Sequence, residues 1–198
     1  MRAVNIDELR QMAADARESI WSQARAYGRE PKIYLHWTAG HYGQLYLDDY
    51  HIAIDKDGTI YTDAPLDDVL AHTWRRNSGA VGITLACCAG ATSEDLGPEP
   101  PTAKQIEVMA QAIVAVADGL WLTIDRDHVL THGEAADNID GIYPHEEYGP
   151  LTTVERWDLQ YLGTDESPYY IKDYDDERTG GNVLRGKANW YRNEWAKK

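Results

Sequence analysis

Residues 32–60, KIYLHWTAGHYGQLYLDDYHIAIDKDGTI, contain the pattern that decides the fold. The stretch opens with an apolar run, 33–35, which predicts a short buried strand. That run ends at His36 and is followed by a loop that contains Gly40. A histidine at the end of a buried strand lies at the rim of a sheet, where binding and catalytic sites are commonly built.

The same stretch continues into a predicted β-hairpin. Its first strand, 50–54, leads to an Asp-Gly dipeptide at 57–58 that favours a tight turn, after which the chain returns as the partner strand. Farther along, the apolar runs 80–85 and 129–132 predict two more short strands, and the second ends at His132. Two strands that are far apart in sequence therefore each end at a histidine.

Two amphipathic helices are predicted to accompany these strands. Asn5 and Glu8 have the spacing of a capping box, and apolar residues then recur at helical intervals up to Gly28. Thr102 and Gln105 form a second capping box before a helix of the same kind. The 198-residue chain has no change in composition that forces a second domain, so one α/β domain with extensions is the simplest expectation.

The charge and hydropathy of the chain exclude several kinds of partner. A formal net charge of -14 argues against nucleic acid, because proteins that bind nucleic acid place Lys and Arg against the phosphates. It also disfavours attachment to an anionic membrane. No apolar run approaches the roughly 20 residues of a membrane helix, so membrane insertion is not expected. The first residues lack the basic-then-apolar pattern of a Sec-type signal, so we expect a protein without one.

Taken together, these segments resemble the zinc-dependent N-acetylmuramoyl-L-alanine amidase family, which includes phage amidase-type lysozymes and the peptidoglycan recognition proteins. The resemblance rests on the strand and glycine loop around His36, the strand that ends at His132, and the loop 71–77 before a strand that reads V-G-I at 81–83. It covers residues 32–159. It implies a single domain with a central mixed β-sheet flanked by helices, as in the peptidoglycan recognition proteins, and Zn²⁺ as the cofactor.

The resemblance nominates His36, His132 and Asp158 as the metal ligands. Catalytic zinc takes three protein ligands and leaves a fourth position open. Asp158 comes from a segment in which Arg156 stands two residues earlier, where the family has Lys. The interval from His132 to Asp158 is longer than is typical of the family. Three other residues therefore stay open as the third ligand: His145, Glu134 and His72.

The resemblance also implies roles for residues around the metal. Tyr50 matches a tyrosine that assists catalysis, and the charge of Arg156 would stabilise the oxyanion, although Arg cannot act as a general acid. Some family members have a general-base Glu on the strand where this chain has Thr84, so Glu134 is the candidate proton carrier. The residues expected to contact substrate are His72, Thr38, Asn77 and Thr84.

The implied reaction is hydrolysis of the amide between N-acetylmuramic acid and L-alanine, in peptidoglycan or a muropeptide. The residues alone support only a zinc hydrolase. A module that binds peptidoglycan without cleaving it, and a hydrolase of another amide, are the alternatives. We expect an N-terminal helix in 1–30, the amidase domain in 31–162 and an extension of unassigned role in 163–198. The expected setting is a phage or prophage endolysin that stays in the host cytoplasm until release, although an exported toxin or a recycling enzyme would look similar. Oligomeric state and stem-peptide preference stay open.

Overall fold

The computed structural model describes residues 1–142 and 157–198 as one α/β domain. In these residues a sheet of six strands is formed by β1 (Arg2–Val4), β2 (Lys32–Trp37), β3 (Ile52–Ile54), β4 (Ile60–Thr62), β5 (Ala80–Leu85) and β6 (Val129–Thr131). The helices are α1 (Ile6–Ala26), α2 (Ala103–Leu120), α3 (His132–Ala136) and α4 (Gly180–Ala196). The predicted single domain, with a mixed sheet flanked by helices, is confirmed.

The order of strands brings the two histidine-bearing segments together. The sheet runs β1-β4-β3-β5-β2-β6, with β3, β5, β2 and β6 parallel and the β1–β4 and β4–β3 pairs antiparallel. Leu35 on β2 is the register partner of Thr131 on β6. His36 directly follows Leu35, and His132 directly follows Thr131. Both histidines therefore lie at the carboxyl ends of two neighbouring parallel strands, at the same edge of the sheet.

Alternation along β2 separates the core from the site. Ile33, Leu35 and Trp37 belong to the main hydrophobic core, which also contains the buried residues of α1, α2 and α4. Tyr34 belongs to a small cluster outside that core, and His36 points to the same face as Tyr34 because side chains alternate along a strand. The helices α1, α2 and α4 thus cover one face of the sheet, and His36 lies on the other face, where α3 packs beside Tyr34.

Most of the predicted local signals are found in the structure. The side chain of Asn5 accepts from the N–H of Glu8 and the Glu8 carboxylate accepts from the N–H of Asn5, as the capping box predicts. Thr102 and Gln105 form the second box at the start of α2. The hairpin pairs β3 with β4 in antiparallel register, and Gly58 at its turn has φ 86, which suits glycine. Its first strand begins at Ile52 rather than at residue 50.

One prediction of local structure was wrong. The strand that was expected to end at His132 ends at Thr131, and His132 is the first residue of α3 because Thr131 caps that helix. In the extension 163–198, for which no structure was predicted, Gly180–Ala196 forms α4, which packs against α2. The division into parts at residues 30 and 162 stays a prediction. None of the described helices combines the length and apolar character needed to cross a membrane.

A buried ion pair joins α4 to α3. Arg185 donates from Nη1 to Glu134 Oε1 at 2.7 Å and from Nη2 to Glu134 Oε2 at 2.8 Å. The N–H of Thr131 also donates to Glu134 Oε1, at 2.9 Å. Glu134 is 1% exposed and Arg185 is 6% exposed, so solvent screens the pair poorly. The ion pair therefore fixes α3, which begins at His132, against α4.

Replacing Arg185 with Met should destabilise the fold. The change leaves the buried Glu134 carboxylate with Arg126, at 3.8 Å, as its one remaining cation within 4 Å among the described residues. Losing one partner of a buried pair costs about 3–5 kcal/mol. We expect the free energy of unfolding, measured in urea, to fall by about 3 kcal/mol. Arg178→Met, which removes a cation from an exposed pair with Asp176, is the control and should change little. Equal losses in the two variants would contradict a stabilising role for Arg185.

Candidate metal centre

Two imidazole nitrogens and a carboxylate converge at the edge of the sheet. His36 Nδ1 lies 3.2 Å from His132 Nδ1 and 3.3 Å from Asp158 Oδ2, and His132 Nδ1 lies 3.1 Å from Asp158 Oδ1. All three side chains are buried, and their ligand atoms lie within 4.8 Å of one another. The structure therefore brings together the three ligands that the sequence nominated.

Different elements hold each of the three residues. His36 is fixed by β2, which pairs with β5 on one side and β6 on the other. Thr131 ends β6 and caps α3, which turns the chain at His132. The N–H of Trp37 donates to Asp158 Oδ2 at 3.1 Å, and the Trp37 and Trp157 rings meet edge to face with centroids 5.7 Å apart. The Asp158 carboxylate is thus tied to the strand that carries His36.

The donor set fits a zinc ion. Asp158 Oδ1 is buried and has no hydrogen-bond partner among the described residues, because His132 Nδ1 lies near it without hydrogen-bond geometry. The two Nδ1 atoms face each other, so at most one of them can carry a proton between them. Lone pairs from two imidazoles and a carboxylate directed at one point are a ligand set that catalytic zinc uses.

Burial also favours the protonation state that a metal needs. It lowers the pKa of His36 to about 4, despite the hydrogen bond to Asp158 that opposes the shift. Burial raises the pKa of the Asp158 carboxyl, but the neighbouring imidazoles of His132 and His36 outweigh it and leave that pKa lowered. At neutral pH the site therefore offers a neutral His36 and an ionised Asp158, and both forms bind metal.

Several other predicted residues lie beside His36. The Tyr50 ring lies 5.0 Å from the His36 ring, centroid to centroid, and the His72 ring lies 5.3 Å from it. Thr84 is the register partner of His36 on β5, and its buried hydroxyl has no hydrogen-bond partner in the part of the chain that the structure describes. These positions suit the roles predicted for Tyr50, His72 and Thr84, which stay predictions.

The remaining predicted residues have other contacts. Both carboxylate oxygens of Glu134 accept from Arg185, so its predicted role as proton carrier stays a prediction that this geometry disfavours. Asn77 Oδ1 accepts from the backbone N–H groups of His72 and Thr73, which fixes their loop. Thr38 Oγ1 hydrogen-bonds the backbone of Cys87 and Gly40. Arg156 and His145 lie outside the described residues.

Sequence reasoning missed Thr73. Thr73 Oγ1 lies 3.2 Å from His36 Nε2, on the far side of the imidazole from the metal ligands. Gly82 on β5 leaves room for the His72 ring. A Cβ on Gly82 would meet His72 Cγ and Cδ2 at 2.8 Å. The family resemblance signalled the loop 71–77 but not the contact that its threonine makes.

The family of the chain follows from a comparison with protein-family models. The model for N-acetylmuramoyl-L-alanine amidases matches residues 15–147, which is more than half of the sequence. The chain therefore belongs to the N-acetylmuramoyl-L-alanine amidase family. The match includes two of the converging residues, His36 and His132, and ends before Asp158. A search of curated proteins found no match.

Solved structures similar to this chain include two endolysins and a peptidoglycan recognition protein. An endolysin N-acetylmuramoyl-L-alanine amidase from Clostridium intestinale is 21% identical, over 54% of this chain and 71% of that one, with a TM-score of 0.40. The Ph2119 endolysin from a Thermus scotoductus bacteriophage is 19% identical, over 52% and 71%, with a TM-score of 0.40. Drosophila PGRP-LB is 18% identical, over 75% and 87%, with a TM-score of 0.41.

Removing Asp158 should remove the metal. We expect the wild-type protein to bind one equivalent of Zn²⁺ by metal analysis, and Asp158→Ala to bind it at least about 100-fold more weakly, beyond the upper range of outer-shell changes. Competition with a chromophoric chelator gives the two affinities. His145→Ala is the matched control and should keep its zinc. An Asp158→Ala protein that retains the ion, beside a His145→Ala protein that loses it, would transfer the third ligand to His145.

The metal-free protein should lose stability as the pH falls below the ordinary imidazole pKa. Burial lowers the pKa of His36, His51 and His72, so the unfolded chain binds more protons than the folded one below about pH 6.5. The contribution of these histidines to the free energy of unfolding is full above about pH 6.5. It is lost as the pH falls toward about 4, where His36 titrates. Urea unfolding with chelator between pH 7.5 and pH 5 measures the slope.

A substitution at His51, which is not one of the three candidate ligands, isolates this effect. His51 accepts from the N–H of Gly82 and hydrogen-bonds Asp68 O, and glutamine can make bonds of both kinds without titrating. His51→Gln should therefore reduce the pH slope by up to about 1.4 kcal/mol per pH unit. An unchanged slope would show that His51 takes up its proton equally in both states.

Proposed function

We propose that this protein is a zinc-dependent amidase that hydrolyses the amide between N-acetylmuramic acid and L-alanine in peptidoglycan. The observation that carries the proposal is the convergence of His36, His132 and Asp158 at the sheet edge of a domain from the N-acetylmuramoyl-L-alanine amidase family. A zinc ion held by these residues would act as a Lewis acid on the amide carbonyl and lower the pKa of a water molecule.

The other residues of the site would bind and orient the substrate. The Tyr50 phenol, whose ring lies beside that of His36, would donate to the oxygen that becomes negative when the carbonyl is attacked. The positive charge of Arg156 would stabilise the same oxygen. Thr84 and His72 lie on the same face as His36 and would contact the sugar or the stem peptide. We leave Glu134 out of proton transfer, because Arg185 holds both of its oxygens.

We extend the proposal to cell-wall lysis by a phage or prophage endolysin. Lysis requires the same bond to be cut in intact sacculi, and not only in soluble muropeptides. Loss of turbidity of bacteria with permeabilised envelopes would support this setting. Cleavage that is confined to soluble muropeptides would instead favour a recycling enzyme.

Purified sacculi provide the direct test of the reaction. The zinc-loaded protein should release new amino-terminal alanine, detected by labelling of free amines, without forming new reducing sugar ends. Asp158→Ala should lose at least about 99% of the rate, because the ion that would polarise the carbonyl is no longer held. Glu18→Gln, on the exposed side of α1, is the control and should retain full rate.

The same samples separate the proposed enzyme from its alternatives. Protein that sediments with sacculi and contains zinc, yet releases no alanine, would be a peptidoglycan-binding module. Protein that contains zinc and neither binds nor cleaves sacculi would act on a different amide. Release of reducing sugar ends without alanine would contradict the bond assignment.

A further inference from the structure

The Thr73 hydroxyl lies between two imidazoles in the buried part of the site. Its Oγ1 is 3.2 Å from His36 Nε2 and 2.8 Å from His72 Nδ1. All three residues are buried, and the His72 and His36 rings stand edge to face. Both contacts have hydrogen-bond distances, and water has little access to either of them. The positions of the protons in this group of three are therefore linked.

A count of protons gives the direction of both hydrogen bonds. Metal coordination needs the lone pair of His36 Nδ1, so a neutral His36 carries its proton on Nε2 and donates it to Thr73 Oγ1. A hydroxyl has one proton, and Thr73 then donates it to His72 Nδ1. His72 accepts at Nδ1 and carries its own proton on Nε2. If Thr73 instead accepted from both imidazoles, its own hydroxyl proton would have no acceptor among the described residues, because Oγ1 has no further hydrogen-bond contact there.

The loop holds Thr73 in place for this contact. Asn77 Oδ1 accepts from the N–H of His72 at 3.1 Å and from the N–H of Thr73 at 2.8 Å. Gly82 leaves space for the His72 ring on the surface of β5. Two consecutive residues are thus fixed by one amide, and their side chains can reach His36 without further adjustment.

We infer that Thr73 is a positioning residue that selects Nδ1 of His36 for the metal and keeps His72 as an Nε2–H donor. The inference rests on the proposed zinc site. His72 Nε2 is buried and has no hydrogen-bond partner among residues 1–142 and 157–198. Beside His36, such a donor suits a carbonyl oxygen of the substrate. The threonine thus connects the metal ligand to a substrate-binding group.

His51 provides an internal comparison within the same face. Its Nδ1 accepts from the N–H of Gly82 at 3.0 Å, and its Nε2 lies 2.7 Å from Asp68 O, so the backbone alone places its proton on Nε2. The tautomer of His51 is therefore independent of Thr73. A change at Thr73 that acts through the hydrogen bond should alter His36 and His72 and leave His51 as it is.

Thr73→Val and Thr73→Ser test the inference without using activity. Valine keeps the shape and removes the hydroxyl, and loss of an outer-shell hydrogen bond to a ligating histidine weakens metal binding about 10–100-fold. We expect that loss for Thr73→Val by chelator competition, and a change of less than about threefold for Thr73→Ser, which restores the hydroxyl. The unfolding free energies of the metal-free forms verify that both variants are folded.

The tautomers give a second measurement, which also works on the wild-type protein. Long-range ¹⁵N–¹H spectra of the zinc-loaded protein should show Nε2–H for His36, His51 and His72. In Thr73→Val, His72 should lose this preference and His51 should keep it. His72 with its proton on Nδ1 in the wild type would overturn the inference, as would Thr73→Val with unchanged zinc affinity. A protein that follows the expected pattern but cleaves no peptidoglycan would refute only the proposed function.

Discussion

The candidate metal centre depends on the parallel pairing of β2 with β6. The register sets Leu35 beside Thr131, and only with this register do His36 and His132 meet beyond the pair. A shift of one residue would turn His36 into the main core and bring Leu35 to the opposite face of the sheet. The burial of the alternating apolar residues of β2 prevents this shift. The core positions on β2, Ile33, Leu35 and Trp37, therefore fix the site through the sheet itself.

Charge in a buried site explains why the centre is suited to a cation. Asp158 is fully buried and its pKa is lowered, so it brings a negative charge into a region with little water. The same burial lowers the pKa of His36 and keeps that imidazole neutral near pH 7. A divalent ion would compensate the carboxylate and satisfy its unpaired Oδ1, whereas a protonated imidazole would satisfy only part of the set.

Local sequence signals predicted most of the helices and strands. Contacts between residues far apart in sequence determine α4 and the surroundings of His36. The capping boxes and the Asp-Gly turn are properties of a few neighbouring residues, so the sequence shows them. The helix α4 begins with Gly180 and Gly181, which disfavour a helix, and it is held by packing of Leu184 and Ala188 in the core. The contact of Thr73 with His36 spans 37 positions, and no local pattern indicates it. The ligands were nominated from family resemblance and not from periodicity.

The fate of Glu134 shows how a distant residue changes the chemistry of a site. A carboxylate two residues after His132, in a chain with Thr84 where some family members have Glu, is a reasonable proton carrier from sequence. In the fold, Arg185 takes both of its oxygens from 51 positions away. Asp158 is directed at the imidazoles. Neither of these two carboxylates is therefore available for proton transfer, and the roles of Tyr50 and His72, whose rings lie beside His36, stay predictions.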